Sequence, residues 1–244
     1  VVPIAVGMRW FPDKKGLITG LAVAGFGFGA TLWVKLAGSW GGLLENMDIG
    51  PTFMIYGVLF AVAVVLGGLT MVFPPEGWQP EGWTPPKAAP GKASTGTVNY
   101  ESGEMLSTVQ YYMIFLTFLF GAGAGLMSIG LMKLYPTEAL VAGGMEEAAA
   151  SAAAGLAMAV FFSLANGIGR IAWGTISDKI GRKRSILIMV TTQGFLVILF
   201  SAMAGTPATL YASAALIGFN FGGNFALFPT MTADAFGAKN VGQN

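Results

Sequence analysis

Residues 174 to 184 read Gly174-Thr-Ile-Ser-Asp178-Lys-Ile-Gly181-Arg-Lys-Arg184 and sit between two long apolar runs. Each residue type has a physical use at a tight turn joining two helices. Gly174 lets one helix approach another closely. Asp178 can cap, or face, the positive N-terminal end of a neighbouring helix. Gly181 permits the reversal, and the bases Lys179, Arg182, Lys183 and Arg184 suit anionic headgroups.

The flanking runs set the solvent. Of 244 residues 54% are hydrophobic and 10% charged, against roughly 25% charged in an ordinary soluble domain. A span needs about 20 mostly apolar residues. Six stretches qualify, at about 16 to 38, 51 to 73, 109 to 134, 152 to 176, 185 to 204 and 207 to 229. Residues 1 to 11 read as the tail of a seventh, ending in the interfacial pair Arg9-Trp10. The fold class is therefore an all-α polytopic membrane protein. The chain opens at Val1 and stops at Asn244 in a polar loop, so both ends are read as cut from a longer protein.

Charge orients these spans. Arg9, Lys14 and Lys15, then Lys87 and Lys92, then Lys179 to Arg184, and finally Lys239 occupy alternate loops. The intervening loops hold Glu45, Asp48, Glu138, Glu146 and Glu147 and no Lys or Arg. By the positive-inside bias the basic loops are cytoplasmic. The Pro- and Gly-rich stretch 74 to 107 reads as a mobile cytoplasmic linker. It separates residues 1 to 73, the end of an N-terminal helix bundle, from 108 to 244, part of a C-terminal one. RWFPDKKG at 9 to 16 and DAFGAKNVG at 234 to 242 echo each other after a span, as in carriers built from two related bundles. That echo puts Val1 in the fourth helix and the last span in the tenth of twelve.

Several chemistries are excluded. The chain has no Cys and no His, so a disulfide framework, a thiolate metal site and a histidine general base are all absent. No G-x-x-x-x-G-K-[ST] loop occurs, which argues against an ATP-driven pump. The basic residues are too few and too scattered for nucleic acid. Neither a cofactor nor a metal is expected, and the partners are a small solute and the bilayer.

The turn at 174 to 184 resembles the major facilitator signature G-x-x-x-D-[RK]-x-G-[RK]-[RK] at every fixed position. In that reading Gly174, Asp178, Lys179, Gly181, Arg182 and Lys183 form a cytoplasmic gate motif. Three further blocks resemble the oxalate/formate antiporter family: Arg9 to Gly16 followed by Gly20 and Gly25-Phe-Gly-Phe-Gly29; Asn166-Gly-Ile-Gly-Arg170 leading to Trp173-Gly174; and Phe221-Gly-Gly-Asn-Phe-Ala-Leu-Phe-Pro229 followed by Asp234. The resemblance implies a twelve-helix, monomeric carrier of the bacterial or archaeal inner membrane that moves small carboxylates. It also implies a second cation, a lysine in an eleventh helix.

None of the twelve acidic residues lies inside a predicted span, so the visible cavity suits an anion better than a cation. Arg170 is the one charge well inside, seven residues before Ser177, or about 10 Å along a helix. Ser163, Asn166, Arg170, Trp173 and Ser177 recur at spacings of 3 and 4, one stripe of a helix facing a cavity or another helix. Arg170 either forks onto a substrate carboxylate, supported by Asn166, or snorkels to the headgroups. The resemblance favours the first. It also implies that Phe221 and Phe225 wall the cavity where oxalate carriers have Trp and Tyr, which suits an acid with an apolar tail, such as lactate or a formate-like acid. Gly16/Gly20, Gly25/Gly29, Gly38/Gly42, Gly121/Gly125 and Gly218/Gly222 are expected as helix contacts. A facilitator for another solute, with Arg170 structural, and a non-transporting sensor on the same fold are the competing readings.

Overall fold

The computed structural model describes residues 2–75, 77–84 and 99–243. Among these, every regular element is helical: α1 (Val2–Trp10), α2 (Lys15–Ala37), α3 (Leu43–Met47), α4 (Ile49–Leu69), α5 (Ser102–Leu106), α6 (Val109–Leu131), α7 (Leu134–Ala142), α8 (Glu147–Leu156), a π-helical segment (Ala157–Phe162), α9 (Ser163–Ile180), α10 (Arg182–Met203) and α11 (Pro207–Phe236). The helix from Glu147 to Ile180 is continuous, and it joins α2, α4, α6 and α10 as long and apolar enough to cross a membrane. In hydrocarbon a backbone must satisfy its own hydrogen bonds, which is why apolar runs of this length fold as helices. The sixth expected span, 207 to 229, falls in α11 (Pro207–Phe236), which is not among these five; it carries Asn220 and Asn224 and is buried along much of its length against its neighbours.

The helix α9 is the axis of the structure, with α2 on one side and α11 on the other. Close approach is made by glycine. A Cβ on Gly16 would strike the Gly174 carbonyl, one on Gly20 the Arg170 carbonyl, and one on Gly27 the backbone at Gly167. The residue order runs oppositely in the two helices, so α2 and α9 are antiparallel. Across the other side Gly169 meets Phe219, Gly218 meets Phe162 and Gly222 meets Asn166. Gly121 and Gly125 of α6 lie against Asn224 and the Phe221 ring.

Two expected glycine pairs are not contacts between spans. Gly25 has no neighbour for a Cβ, and Gly29 faces only Trp33 of its own helix. The contact falls on Gly27 instead, since only that member of the Gly-Phe-Gly-Phe-Gly run points at α9. Gly38 meets only its own last turn, and Gly42, at φ +58°, precedes the short α3.

The π-helical segment was not legible in the hydropathy. A π turn shifts pairing from i+4 to i+5 and exposes backbone carbonyls. Here Thr31 of α2 donates to the Ala159 carbonyl at 2.8 Å, and Ser163 donates to the Gly27 carbonyl at 2.5 Å. The irregularity is thus held from the facing helix.

Contacts to the helices occur next to both ends of the stretch 74 to 107. At its start the Trp10 indole donates to the Val72 carbonyl at 2.8 Å, and Trp78 donates to the Trp10 carbonyl at 3.2 Å. At its end the Tyr100 amide donates to the Phe236 carbonyl at 2.9 Å, ahead of the short helix α5. Indole N–H groups and edge-to-face rings anchor chain that Pro and Gly content alone marks as mobile. Lys87 and Lys92 fall outside the described residues.

Candidate functional site

The five residues of the Ser163 to Ser177 stripe are all buried. Their environment is what a helix between two others provides. Trp173 donates from its indole to Asn220 Oδ1 at 3.2 Å, and Asn220 donates in turn to Thr192 Oγ1 at 3.0 Å. That tie joins α9, α11 and α10, and in it the buried Trp173 and Asn220 find the partners that polar groups in an apolar interior require, while Thr192 lies at the exposed edge.

At the centre is Arg170, 2% exposed. Its Nε donates to Asn166 Oδ1 at 2.9 Å, and its Nη1 donates to the Val23 carbonyl of α2 at 3.0 Å. The Nη2 group is buried with no hydrogen-bond partner among the described residues. No carboxylate lies within ion-pair distance among these residues. The guanidinium sits between two rings, with its carbon 5.0 Å from the Phe26 centroid and 4.5 Å from that of Phe225. Such contacts contribute about 0.5–2 kcal/mol each. The arginine therefore faces the gap between α2, α9 and α11, not the headgroups.

Of the four residues the sequence groups here, Asn166, Arg170, Phe221 and Phe225, the structure sets Asn166 and Phe225 each against Arg170. Phe221 lies one layer behind. It is 3% exposed, with its ring 5.2 Å from Phe225 and 5.9 Å from Phe162. Its side chain packs in the hydrophobic core without reaching the guanidinium, because Gly125 leaves it a slot against α6. Val23 and Phe26 were missed as contacts of Arg170. A backbone carbonyl leaves no trace in residue type, and Phe26 is distinguished only by its place between two glycines.

About two turns away, the motif residues form a second cluster. Asp178 accepts from the backbone N–H of Gly16 at 3.0 Å and of Leu17 at 2.9 Å, and so caps the start of α2 from across the seam. It also pairs with Arg182 at 2.6 Å. Arg182 reaches Asp234 at 3.0 Å, and Asp234 pairs with Lys15, the first residue of α2, at 2.9 Å. Arg182 further donates to Ser177 Oγ. The result is a run of ion pairs, Lys15–Asp234–Arg182–Asp178, that joins α2, α11, α10 and α9 and closes into a ring only through the bonds of Asp178 to the α2 backbone. Gly181, at φ +92°, makes the turn between α9 and α10, in a region where a side chain is strained. Lys179 and Lys183 are exposed and stand outside the ring. Lys15 and Asp234 were quoted in the sequence without a role. Their pairing across 219 positions has no local signal.

Close-packed helices, five of them long and apolar enough to cross a membrane, with a buried arginine between them and an acid-base cluster at the turn between α9 and α10, define a polytopic helical membrane protein. The sequence profile of the Major Facilitator Superfamily matches residues 1–244, and the chain belongs to that family. Among curated relatives, it is 30% identical over 241 residues to "Uncharacterized MFS-type transporter YhjX" of Escherichia coli (strain K12), covering 97% of this chain and 54% of that protein. It is 28% identical over 237 residues to the "Oxalate:formate antiporter" of Oxalobacter formigenes, covering 97% and 51%. It is 23% identical over 292 residues to "Apicoplast pyruvate carrier 1" of Toxoplasma gondii, covering 98% and 51%. The chain spans about half the length of these relatives. All three carry transporter names, and none carries an enzyme's.

Proposed function

We propose that this chain is the central part of a secondary carrier that moves small organic carboxylates across a cell membrane by alternating access, with Arg170 holding the carboxylate. The observation that carries the reading is a buried guanidinium whose Nη2 edge has no partner and whose neighbourhood holds no acid among the described residues. An uncompensated cation inside a span costs about 2.5–3.5 kcal/mol on insertion scales. A small anion would remove that cost through charge-assisted hydrogen bonds.

The surroundings narrow the solute. Phe26 and Phe225 flank the guanidinium with apolar faces and offer no N–H or O–H. Such walls favour an acid with a short apolar or keto tail over a dianion. Relatives named for oxalate, formate and pyruvate support a carboxylate of this size. Alternating access would then part the α2 side from the α9 to α11 side. The ring around Asp178 and Arg182 would latch the cytoplasmic ends.

The test is uptake of labelled formate, lactate, pyruvate and oxalate into proteoliposomes holding the full-length carrier or its Arg170→Ala variant. Saturable uptake of at least one acid by the parent, reduced about 100-fold or more in the variant, supports the assignment. Undiminished carboxylate uptake by a folded Arg170→Ala protein removes Arg170 as the binding residue.

A further inference from the structure

From the level of the buried arginine onward, α11 carries four residues on one face, Phe225, Phe228, Thr232 and Phe236, at spacings of 3, 4 and 4. All four line a cavity of about 430 Å³ that α11 shares with α6. Phe118 of α6 also lines it, with its ring 6.3 Å from that of Phe225 and 5.1 Å from that of Phe228. Among the described residues no charged side chain lines this space. Its polar side chains are Tyr111, Thr232 and Gln243, and the Thr232 hydroxyl already donates to the Phe228 carbonyl at 2.9 Å. A carboxylate placed there would lack a cation, whereas an apolar group finds matching walls.

Phe225 belongs to this cavity and to the arginine site alike. Its ring centroid lies 4.5 Å from the guanidinium carbon of Arg170, yet Arg170, Asn166 and Phe26 lie outside the cavity lining. Neighbouring rings hold it in place. It stands nearly perpendicular to Phe118 at 6.3 Å and to Phe221 at 5.2 Å, and lies 6.5 Å from Phe26. Edge-to-face packing of this kind favours one ring orientation. The cavity beyond it has the size of a pocket for a whole drug-sized ligand, far more than a one- to three-carbon acid fills.

We propose that Phe225 is a partition that sets the longest tail the carrier accepts, by separating the Arg170 site from an apolar cavity able to take an arene. With the phenyl ring in place, an acid bound to Arg170 keeps a tail of a few atoms. With the ring removed the two spaces join, and a carboxylate on the guanidinium can extend an aryl or branched tail toward Phe118 and Phe228. Phe225 is thus a specificity-determining residue, while the arginine supplies the binding. The proposal rests on the carboxylate reading of Arg170 and adds a size limit to it.

The test measures initial uptake of labelled formate, pyruvate and phenylpyruvate into proteoliposomes holding the full-length carrier, its Phe225→Ala variant or its Arg170→Ala variant. Pyruvate and phenylpyruvate differ only by the ring. The quantity read is phenylpyruvate uptake divided by that of the short acid taken best, because Phe225 also touches Arg170 and both rates can fall together. This ratio is expected to rise about tenfold or more in Phe225→Ala, within the range by which a hydrophobic pocket discriminates on size. Refilling the cavity in that variant, by Ile114→Trp or by Thr232→Phe, is expected to bring the ratio back toward the parent's. Phe225→Leu takes the place of the alanine variant should that one not fold. The partition is overturned if uptake depends on Arg170 while a folded Phe225 variant keeps the parent's ratio, or if the parent already takes short and aryl acids equally. A raised ratio that neither refilling variant lowers overturns the cavity as the place of the tail. Carboxylate uptake that is absent, or indifferent to Arg170→Ala, removes the Arg170 reading and the partition with it.

Discussion

Asp178 binds Gly16 and Leu17 with one carboxylate oxygen each, at 3.0 and 2.9 Å, so a residue at the end of one span completes the first turn of another 161 positions away. The anion also faces the positive end of the α2 helix dipole, the more favourable polarity.

Replacing Asp178 with alanine would leave two backbone N–H groups without their acceptor and Arg182 with Asp234 and Ser177 alone. The expected loss is about 1–2 kcal/mol of stability, within the range for a removed N-cap. Asp178→Asn retains an acceptor and should lose less. Thermal melting of the detergent-solubilised carrier checks the order, and an alanine variant as stable as its parent would refute the capping role.

Substitution at Gly20 probes the seam itself. A methyl group there meets the Arg170 carbonyl, and overpacking of this kind costs about 1–3 kcal/mol. Gly25→Ala, five residues on, fills open space and should be neutral or mildly stabilising. The contrast is read as two melting temperatures measured side by side.

Arg170→Lys keeps the charge and loses the fork. An ammonium cannot serve Asn166, the Val23 carbonyl and a carboxylate in the same plane. Initial uptake rates in proteoliposomes should fall about tenfold or more. Equal rates for arginine and lysine would mean that only a point charge is needed.

At Gln193 of α10 both amide atoms are buried without partners among the described residues. Gln193→Met removes that burden at nearly constant volume and should stabilise the protein by about 1–2 kcal/mol. A drop in melting temperature would show instead that the amide has a partner in the full-length carrier.

The spans were legible because hydrocarbon demands long apolar helices, and the start of each long helix fell within five residues of its predicted position. The α9 stripe was legible for a related reason. Polar residues at spacings of 3 and 4 in an apolar run have to face something other than lipid, and Ser163 to Ser177 do. What escaped were features with no period. The π-helical segment at Ala157–Phe162 is a backbone event among ordinary residues, Ala, Met, Val and Phe. Lys15 and Asp234 meet only because two helices end at the same height. The bonds that join Trp10 to Val72 and Trp78 were hidden because an indole's partner, a backbone carbonyl, has no signature in residue type.

The antiparallel contact of α2 with α9 has one more implication. At Gly16, Gly20 and Gly27 the two main chains touch directly, so pulling them apart unthreads no interlocked knobs there. Resistance to separation is carried by a few discrete bonds spread along the seam, the acid-base run at one extremity, Arg170 on the Val23 carbonyl midway, and the Ser163 and Thr31 hydroxyls toward the other. If the two sides part as proposed, the loss of any one of these bonds would shift the balance between closed and open arrangements, since bare backbone contact between them offers nothing to take up the load.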